Sequence, residues 1–215
     1  MKPRTALLLN GSPRRENSLA LASYLSELLA EKGLECETMQ AYRTPLNDLL
    51  SALEKAEVVV LSFPLYVDSL PGGLTQVLEE IARQFDGQGR SFAAVVNCGF
   101  PESGQAAVSL GIAESFARTV GFRWLGGLSM GAGPSMGGRP ISECGGMLRN
   151  VIAGLKVAAD DIVQGDEISD EAVRLVGMPL VPHLVYRLMA GQHFRTQAKK
   201  NGAKIYDRTY EWKRR

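Results

Sequence analysis

Residues 57–64 read EVVVLSFP. Four aliphatic side chains, Val58 to Leu61, run without a polar break before Ser62, Phe63 and a proline. A strand with water on one face alternates polar and apolar residues. This one is apolar on both faces, as a parallel strand covered on each side must be. Pro64 ends it, because proline cannot donate to the ladder.

Similar segments recur on either side. Thr5–Leu9 is a short apolar strand that stops at Asn10-Gly11, SFAAVVNCG (91–99) is another, and FRWLGGLSM (122–130) is the fifth. Leu34–Met39 alternates with polar residues and reads as an edge strand. Helical spacing fills the gaps. From Ser18, the residues Leu21, Ala22, Leu25, Leu28 and Leu29 share a face, and Gly33 suits the helix end. A short helix is predicted over 46–55. After Pro71-Gly72-Gly73 comes a stripe of Leu74, Val77, Leu78, Ile81, Ala82 and Phe85. A helix from about Ser103 to Val120 is predicted to bury Leu110, Ala113, Phe116 and Ala117. Leu148, Val151, Ile152, Leu155, Ala159 and Ile162 belong to a last core helix. Five strands alternating with helices specify an open parallel sheet with helices on both faces.

The totals agree with an ordinary globular chain. There are 215 residues, enough for one sizeable core. Net charge is +1, which gives no strong overall field toward nucleic acid or membrane. Cys36, Cys98 and Cys144 are far apart and share no metal spacing with His183 or His193, so no metal site is expected. An odd cysteine count points to a reducing cytoplasm. The apolar run at Ala6–Leu9 is too short for a signal peptide, and no run approaches the ~20 residues of a membrane span.

In open parallel sheets ligands bind beyond the carboxyl ends of the strands, where strand order reverses. The loops after strands one, three and four are therefore candidates: NGSPRRENS, PLYVDSLPGG and NCGFPESGQ. The first precedes a helix N-terminus, whose free N–H groups and partial positive charge attract anions. Ser12, Asn17 and Ser18 add neutral donors, and Arg14 or Arg15 adds a charged planar one suited to phosphate. The same residues also suit a plain N-cap at Asn17 or Ser18. Neither the Walker ending G-K-[ST] nor G-x-G-x-x-G is present here. The second loop sets Leu65, Tyr66, Val67 and Leu70 between two prolines, which suits one face of a flat ring or a lid on the core. The third offers backbone amides near Asn97, Gly99 and Gly104, with Phe100 beside them.

These two motifs, G-S-P-R-x-x-x-S with Asn17 before Ser18, then P-L-Y-V-D-S-L-P about fifty residues on, resemble the NADPH-dependent FMN reductase family of flavodoxin-like oxidoreductases. The resemblance covers about residues 4–135. It implies a flavodoxin-like sheet of order 2-1-3-4-5 over residues 1–165, with 166–215 as a helical extension of the same domain. By that likeness Ser12, Arg14, Asn17 and Ser18 hold the FMN phosphate. Pro64, Leu65 and Tyr66 line the isoalloxazine, and Asn97, Gly99 and Phe100 meet its polar edge. The implied activity passes hydride from NAD(P)H to FMN and on to a small acceptor: a quinone, flavin, nitro or azo compound, or metal ion. The cofactor carries that chemistry, so no catalytic side chain is named. The compact cysteine motif of related iron–sulfur flavoproteins is absent, and no cluster is assigned. A homodimer is the implied assembly, with no nucleic-acid or membrane partner.

The main rival is a flavodoxin-type electron carrier, a binding module that is typically acidic. A phosphate-binding hydrolase is a weaker rival, since C-x5-R, G-x-S-x-G and any His/carboxylate pairing are missing. GAGPSMGG (131–138) reads as a substrate-side loop, Cys98 as a core thiol, Met130 and Met136 as gap fillers, and His183 and His193 as structural. Packing or capping suits Tyr66 and Asp68 better than proton donation. From Arg187 to Arg215 there are nine Lys/Arg against two Asp/Glu. That basic stretch is a solvated tail, a phosphate-facing flap or a subunit contact.

Overall fold

The computed structural model describes residues 4–14, 17–204 and 206. Arg15 and the end of the basic tail, Asp207–Arg215, lie outside the described residues, as does the side chain of His183.

Five strands form one parallel sheet in the order β2-β1-β3-β4-β5. They are β1 (Thr5–Asn10), β2 (Glu35–Gln40), β3 (Val58–Pro64), β4 (Ser91–Asn97) and β5 (Arg123–Met130). Five helices connect or follow them: α1 (Asn17–Glu31), α2 (Leu46–Lys55), α3 (Gly72–Gln84), α4 (Ala107–Val120) and α5 (Arg149–Gln164). The EVVVLSFP segment is the middle strand, buried from Val58 to Phe63.

The period of two along each strand divides the core. Ala6, Leu8, Val58, Val60, Ala93 and Val95 face the layer of α1 and α5. Leu7, Leu9, Val59, Leu61, Phe63, Phe92, Ala94 and Val96 face that of α2, α3 and α4. Both layers therefore draw on the same strands, and a one-residue slip would exchange them. Gly33, at φ 93°, closes α1, while the N–H of Leu34 returns to the carbonyl of Leu29.

Two local expectations are corrected. The helix expected from Ser103 opens as a 3₁₀ turn over Ser103–Ala106, and α4 begins at Ala107. Its buried face carries Ser109, Ala113, Ala117 and Val120, while Leu110 and Phe116 are only partly covered. Burial of Ser109 is tolerated because its hydroxyl donates to the Ala106 carbonyl at 2.8 Å. In β5, register shifts opposite Phe92/Ala93, and Gly126 takes φ 128° at that irregularity.

The chain beyond α5 continues into the core. The Ile168 N–H donates to the Leu125 carbonyl at 2.7 Å, along the outer edge of β5. A sixth helix, α6 (Asp170–Gly177), starts at Ser169, whose hydroxyl accepts from the Ala172 N–H. Ile168, Ala172 and Val176 are buried. A side chain at Gly154 on α5 would meet Val176 at 2.7 Å, so glycine sets this close approach. The compact unit runs to Leu180, and Val181–Arg215 forms a second unit. Its described part is mostly one helix, α7 (His183–Lys200). Among the described residues no helix is long and apolar enough to cross a membrane.

A chain ended at Leu180 is expected to keep the unfolding midpoint of the sheet domain in urea. A chain ended at Gln164 should lose roughly 3–6 kcal/mol, from forfeiting the burial of two large aliphatic side chains, Ile168 and Val176, at about 1.5–3 kcal/mol each. Equal midpoints for the two truncations would show that α6 adds nothing to the core.

Candidate functional site

The strand order reverses between β1 and β3, and the loops after β1, β3, β4 and β5 gather at that carboxyl edge. A cavity of about 240 Å³ lies there, lined by Ser12, Arg14, Asn17, Ser18, Pro64, Leu65, Tyr66, Asn97, Gly99 and Pro134. Nine of the ten residues marked in the sequence thus line one cavity. Phe100 does not line the cavity and is 58% exposed on the same loop as Gly99.

Local turns shape the first loop. Asn10, fully buried at the end of β1, accepts the Ser12 N–H on Oδ1 at 3.1 Å. Ser12 Oγ accepts the Arg14 N–H at 3.2 Å. Such Asx and Ser turns bend the backbone without a ladder. Asn10 Nδ2 and, across the strand pair, Gln40 Nε2 are buried donors without a partner. The Gly11 N–H donates to the Ser62 carbonyl at 2.8 Å, which fixes the loop to β3. Arg14 is exposed and lines the cavity, and a guanidinium is suited to an anion.

The start of α1 is pinned on three sides. Asn97 Nδ2 donates to Ser18 Oγ at 2.6 Å, and Ser62 Oγ donates to the Ser18 carbonyl at 2.8 Å. Asn17 uses both ends of its carboxamide on the loop after β5. Its Nδ2 donates to the Gly133 carbonyl at 2.8 Å, and its Oδ1 accepts the Gly138 N–H at 3.0 Å. Asn17 lines the cavity, yet much of its hydrogen-bonding capacity goes to holding that loop. No acidic residue occupies the first turn of α1. The N-terminus of α1 carries a partial positive charge, and Asn17 and Ser18 of its first turn line the cavity.

The segment GAGPSMGG was expected as a substrate-side loop. It contains a 3₁₀ turn, Gly133–Met136, and is tied to the loop after β4. Ala132 and Gly133 donate to the carbonyls of Phe100 and Cys98. A side chain at Gly131 would lie 2.3 Å from the Pro101 carbonyl oxygen, a backbone atom with no room to yield. From this loop Pro134 reaches the cavity, a lining residue that the sequence reading missed. The signal was available, because GAGPSMGG also follows the carboxyl end of a strand.

The loop after β3 turns sharply. Tyr66 and Ser69 exchange backbone hydrogen bonds at 2.9 and 3.1 Å around Val67 and Asp68. Both central residues have positive φ, 50° and 57°. That is the pattern of a tight two-residue turn, normally filled by Asn-Gly or Asp-Gly. Asp tolerates the left-handed region, but a β-branched valine there is strained, by roughly 1–2 kcal/mol. Behind this turn the Tyr42 hydroxyl accepts the Leu74 N–H at 3.2 Å, in the first turn of α3. Burial pushes the Tyr42 phenol up.

Cys98 is buried, and its thiol donates to the carbonyls of Phe100 and Glu102. Burial pushes this thiol up, and the Glu102 carboxylate adds to the shift, so it stays protonated at neutral pH. Met130 and Met136 are fully buried in the α1/α5 layer. Among the described residues no group of three His, Cys, Asp or Glu is placed to hold a metal ion.

No protein-family model matches the sequence, and no curated protein matches it. Solved structures do. The chain is similar to a Streptococcus pneumoniae TIGR4 flavodoxin at 13% identity and TM-score 0.57, over 75% of this chain and 99% of that one. It is also similar to an FMN-dependent NADH-azoreductase from Bacillus anthracis, solved in complex with FMN. There the identity is 13% and the TM-score 0.56, over 74% of this chain and 99% of that one. A flavone reductase matches at 14% identity and TM-score 0.59, over 74% of this chain and 64% of the other. The fold is flavodoxin-like.

Replacing Asn17 with Ala removes both bonds to the loop after β5. At about 0.5–1.5 kcal/mol per net bond, stability should fall by roughly 1–3 kcal/mol. Hydrogen exchange at the Gly138 amide should quicken while the amides of β3 stay protected. Unchanged exchange at Gly138 would show that the loop is held by other contacts.

Proposed function

We propose that this chain is an FMN-dependent NAD(P)H oxidoreductase acting on a small electron acceptor. The observation that carries this reading is the division of labour in one cavity: anion donors at the α1 end, and Pro64, Leu65 and Tyr66 at the other. The donor set fits a flavin mononucleotide. Ser12 and Ser18 hydroxyls, the α1 N-terminus and the Arg14 guanidinium would hold the phosphate. Leu65 and Tyr66 would cover a ring face, and Asn97 and Gly99 would border its polar edge. Phe100, outside the cavity lining, would touch a ring only at its outer margin. Bound there, the flavin would supply two-electron chemistry between a reduced nicotinamide and an acceptor. The solved azoreductase and flavone reductase of the same fold support an enzyme.

A flavodoxin-type electron carrier is the alternative, since solved flavodoxins share the fold. The near-neutral charge of this chain, +1, favours the enzyme, because carriers of this kind are typically acidic. Three free cysteines suit a reducing cytoplasm.

The purified chain is expected to retain about one FMN per molecule through gel filtration, read as flavin absorbance. A folded chain that retains none excludes the reading. Arg14→Ala should weaken FMN more than riboflavin. A hydrogen bond to a charged group contributes about 1.5–3 kcal/mol, so the loss should be roughly 10- to 100-fold. Equal weakening of both ligands would make Arg14 structural.

A homodimer belongs to the same proposal. A groove of about 390 Å³ between α3 and α4 is lined by Leu78, Ala82, Ile112 and Phe116, with Val108 exposed beside them. A second copy would cover this apolar surface. Sedimentation should give a dimer, and Ile112→Glu should give a folded monomer. Dimers that persist in Ile112→Glu would move the interface elsewhere.

A further inference from the structure

Val67 is an anomaly in stability terms. It is 97% exposed, so its side chain packs against almost nothing in the protein. Its φ of 50° lies in the left-handed region, which disfavours a β-branched residue. Glycine would relieve the strain, and a polar residue would remove the exposed apolar surface. Folding gains nothing from valine at this position. Strain of this kind, kept beside a cavity, points to a role outside the fold.

The surroundings indicate what Val67 meets. It follows Tyr66, which lines the cavity and is 43% exposed. Phe100 is exposed on the neighbouring loop, and the two loops are joined where the Leu65 N–H donates to the Asn97 carbonyl at 2.9 Å. Three exposed apolar side chains thus stand on adjacent loops: Tyr66 lines the cavity, and Val67 and Phe100 directly follow its lining residues Tyr66 and Gly99. The cavity itself, at about 240 Å³, is smaller than the roughly 300–1,000 Å³ of sites that enclose a ligand. A ligand held by the α1 donors would be left partly uncovered, with these side chains at or next to the lining residues in the chain.

We infer that Val67, with Phe100, is the contact for a flat, apolar electron acceptor, and that Val67 sets the preference for such acceptors. The inference rests on the oxidoreductase reading above. Three side chains fall far short of the 20–30 residues a side of a stable protein interface, which favours a small molecule over a protein partner. A β-branched side chain suits the role: stiff at χ1, it loses little freedom when a ring packs on it.

The test uses the full-length chain, with and without added FMN, and 2-methyl-1,4-naphthoquinone as probe. Valine methyl groups are labelled with ¹³C, and the Val67 signals are assigned by their loss in Val67→Ile. Titration should shift the Val67 methyls more than those of the buried Val58 and Val60. In steady-state assays Val67→Gly should raise the KM for the naphthoquinone about fivefold, and Val67→Ile should restore it. The FMN dissociation constant should stay the same in Val67→Gly, and its urea midpoint should equal or exceed that of the parent. Unmoved Val67 methyls at saturating probe, or an unchanged KM in Val67→Gly, would overturn the inference. A lower urea midpoint in Val67→Gly would also overturn it, by making the residue structural. Failure to retain FMN would defeat the oxidoreductase reading and with it the redox role of the acceptor, whereas unmoved methyls in a chain that retains FMN would defeat the Val67 contact alone.

Discussion

The hydrogen bond from Asn97 Nδ2 to Ser18 Oγ joins the end of β4 to the first turn of α1 across the end of β3. Ser62 completes the cluster from β3 through its bond to the Ser18 carbonyl. All three residues are buried, with exposures of 6% or less. In that low-dielectric setting a lost partner leaves a polar group unsatisfied at considerable cost, so the cluster is held as a unit. It fixes where the N–H groups of α1 open. Gly11, bonded to the Ser62 carbonyl, brings the first loop to the same point. Asn17 then carries the constraint outward to the loop after β5. Four loops from four strands are positioned by one helix end.

Much of the fold was legible because two periods dominate the sequence. Continuous apolar runs mark the buried strands, and helical stripes mark their covering layers. Turn chemistry at Gly33 and Pro64 set element ends that the structure reproduces. What escaped reading depended on tertiary contact. Ser109 is buried in α4 because its hydroxyl finds a local carbonyl, and no periodicity rule ranks a serine above Leu110 or Phe116. The region 166–177 broke the strand–helix alternation and read as an extension. Its burial is decided by Gly154, a glycine whose importance appears only when Val176 packs on it. The site shows the same division. Residue types at strand ends marked the loops and most of their donors and apolar groups, while Pro64 and the choice of Arg14 over Arg15 came from the family resemblance; together they named nine lining residues. Pro134 and the clamping role of Asn17 were not legible, because both follow from a loop more than a hundred residues away in the chain.

The two ends of the cavity are built on different physical terms. At the α1 end, buried hydrogen bonds over-determine the geometry, so donors are held in place before any anion arrives and little ordering cost remains. At the β3–β4 end, Tyr66, Val67 and Phe100 are exposed and the turn at Val67–Asp68 is strained. A ligand gripped firmly at one end and uncovered at the other can stay in place while a second molecule comes and goes. A fully enclosing pocket would forbid that exchange, and a shallow polar groove would not retain the first ligand. In the proposed reading, the uncovered end must still select what approaches. With only a few apolar side chains there, selection on that reading would fall to flatness and hydrophobicity, and Val67, the most exposed of them, would weigh most in it.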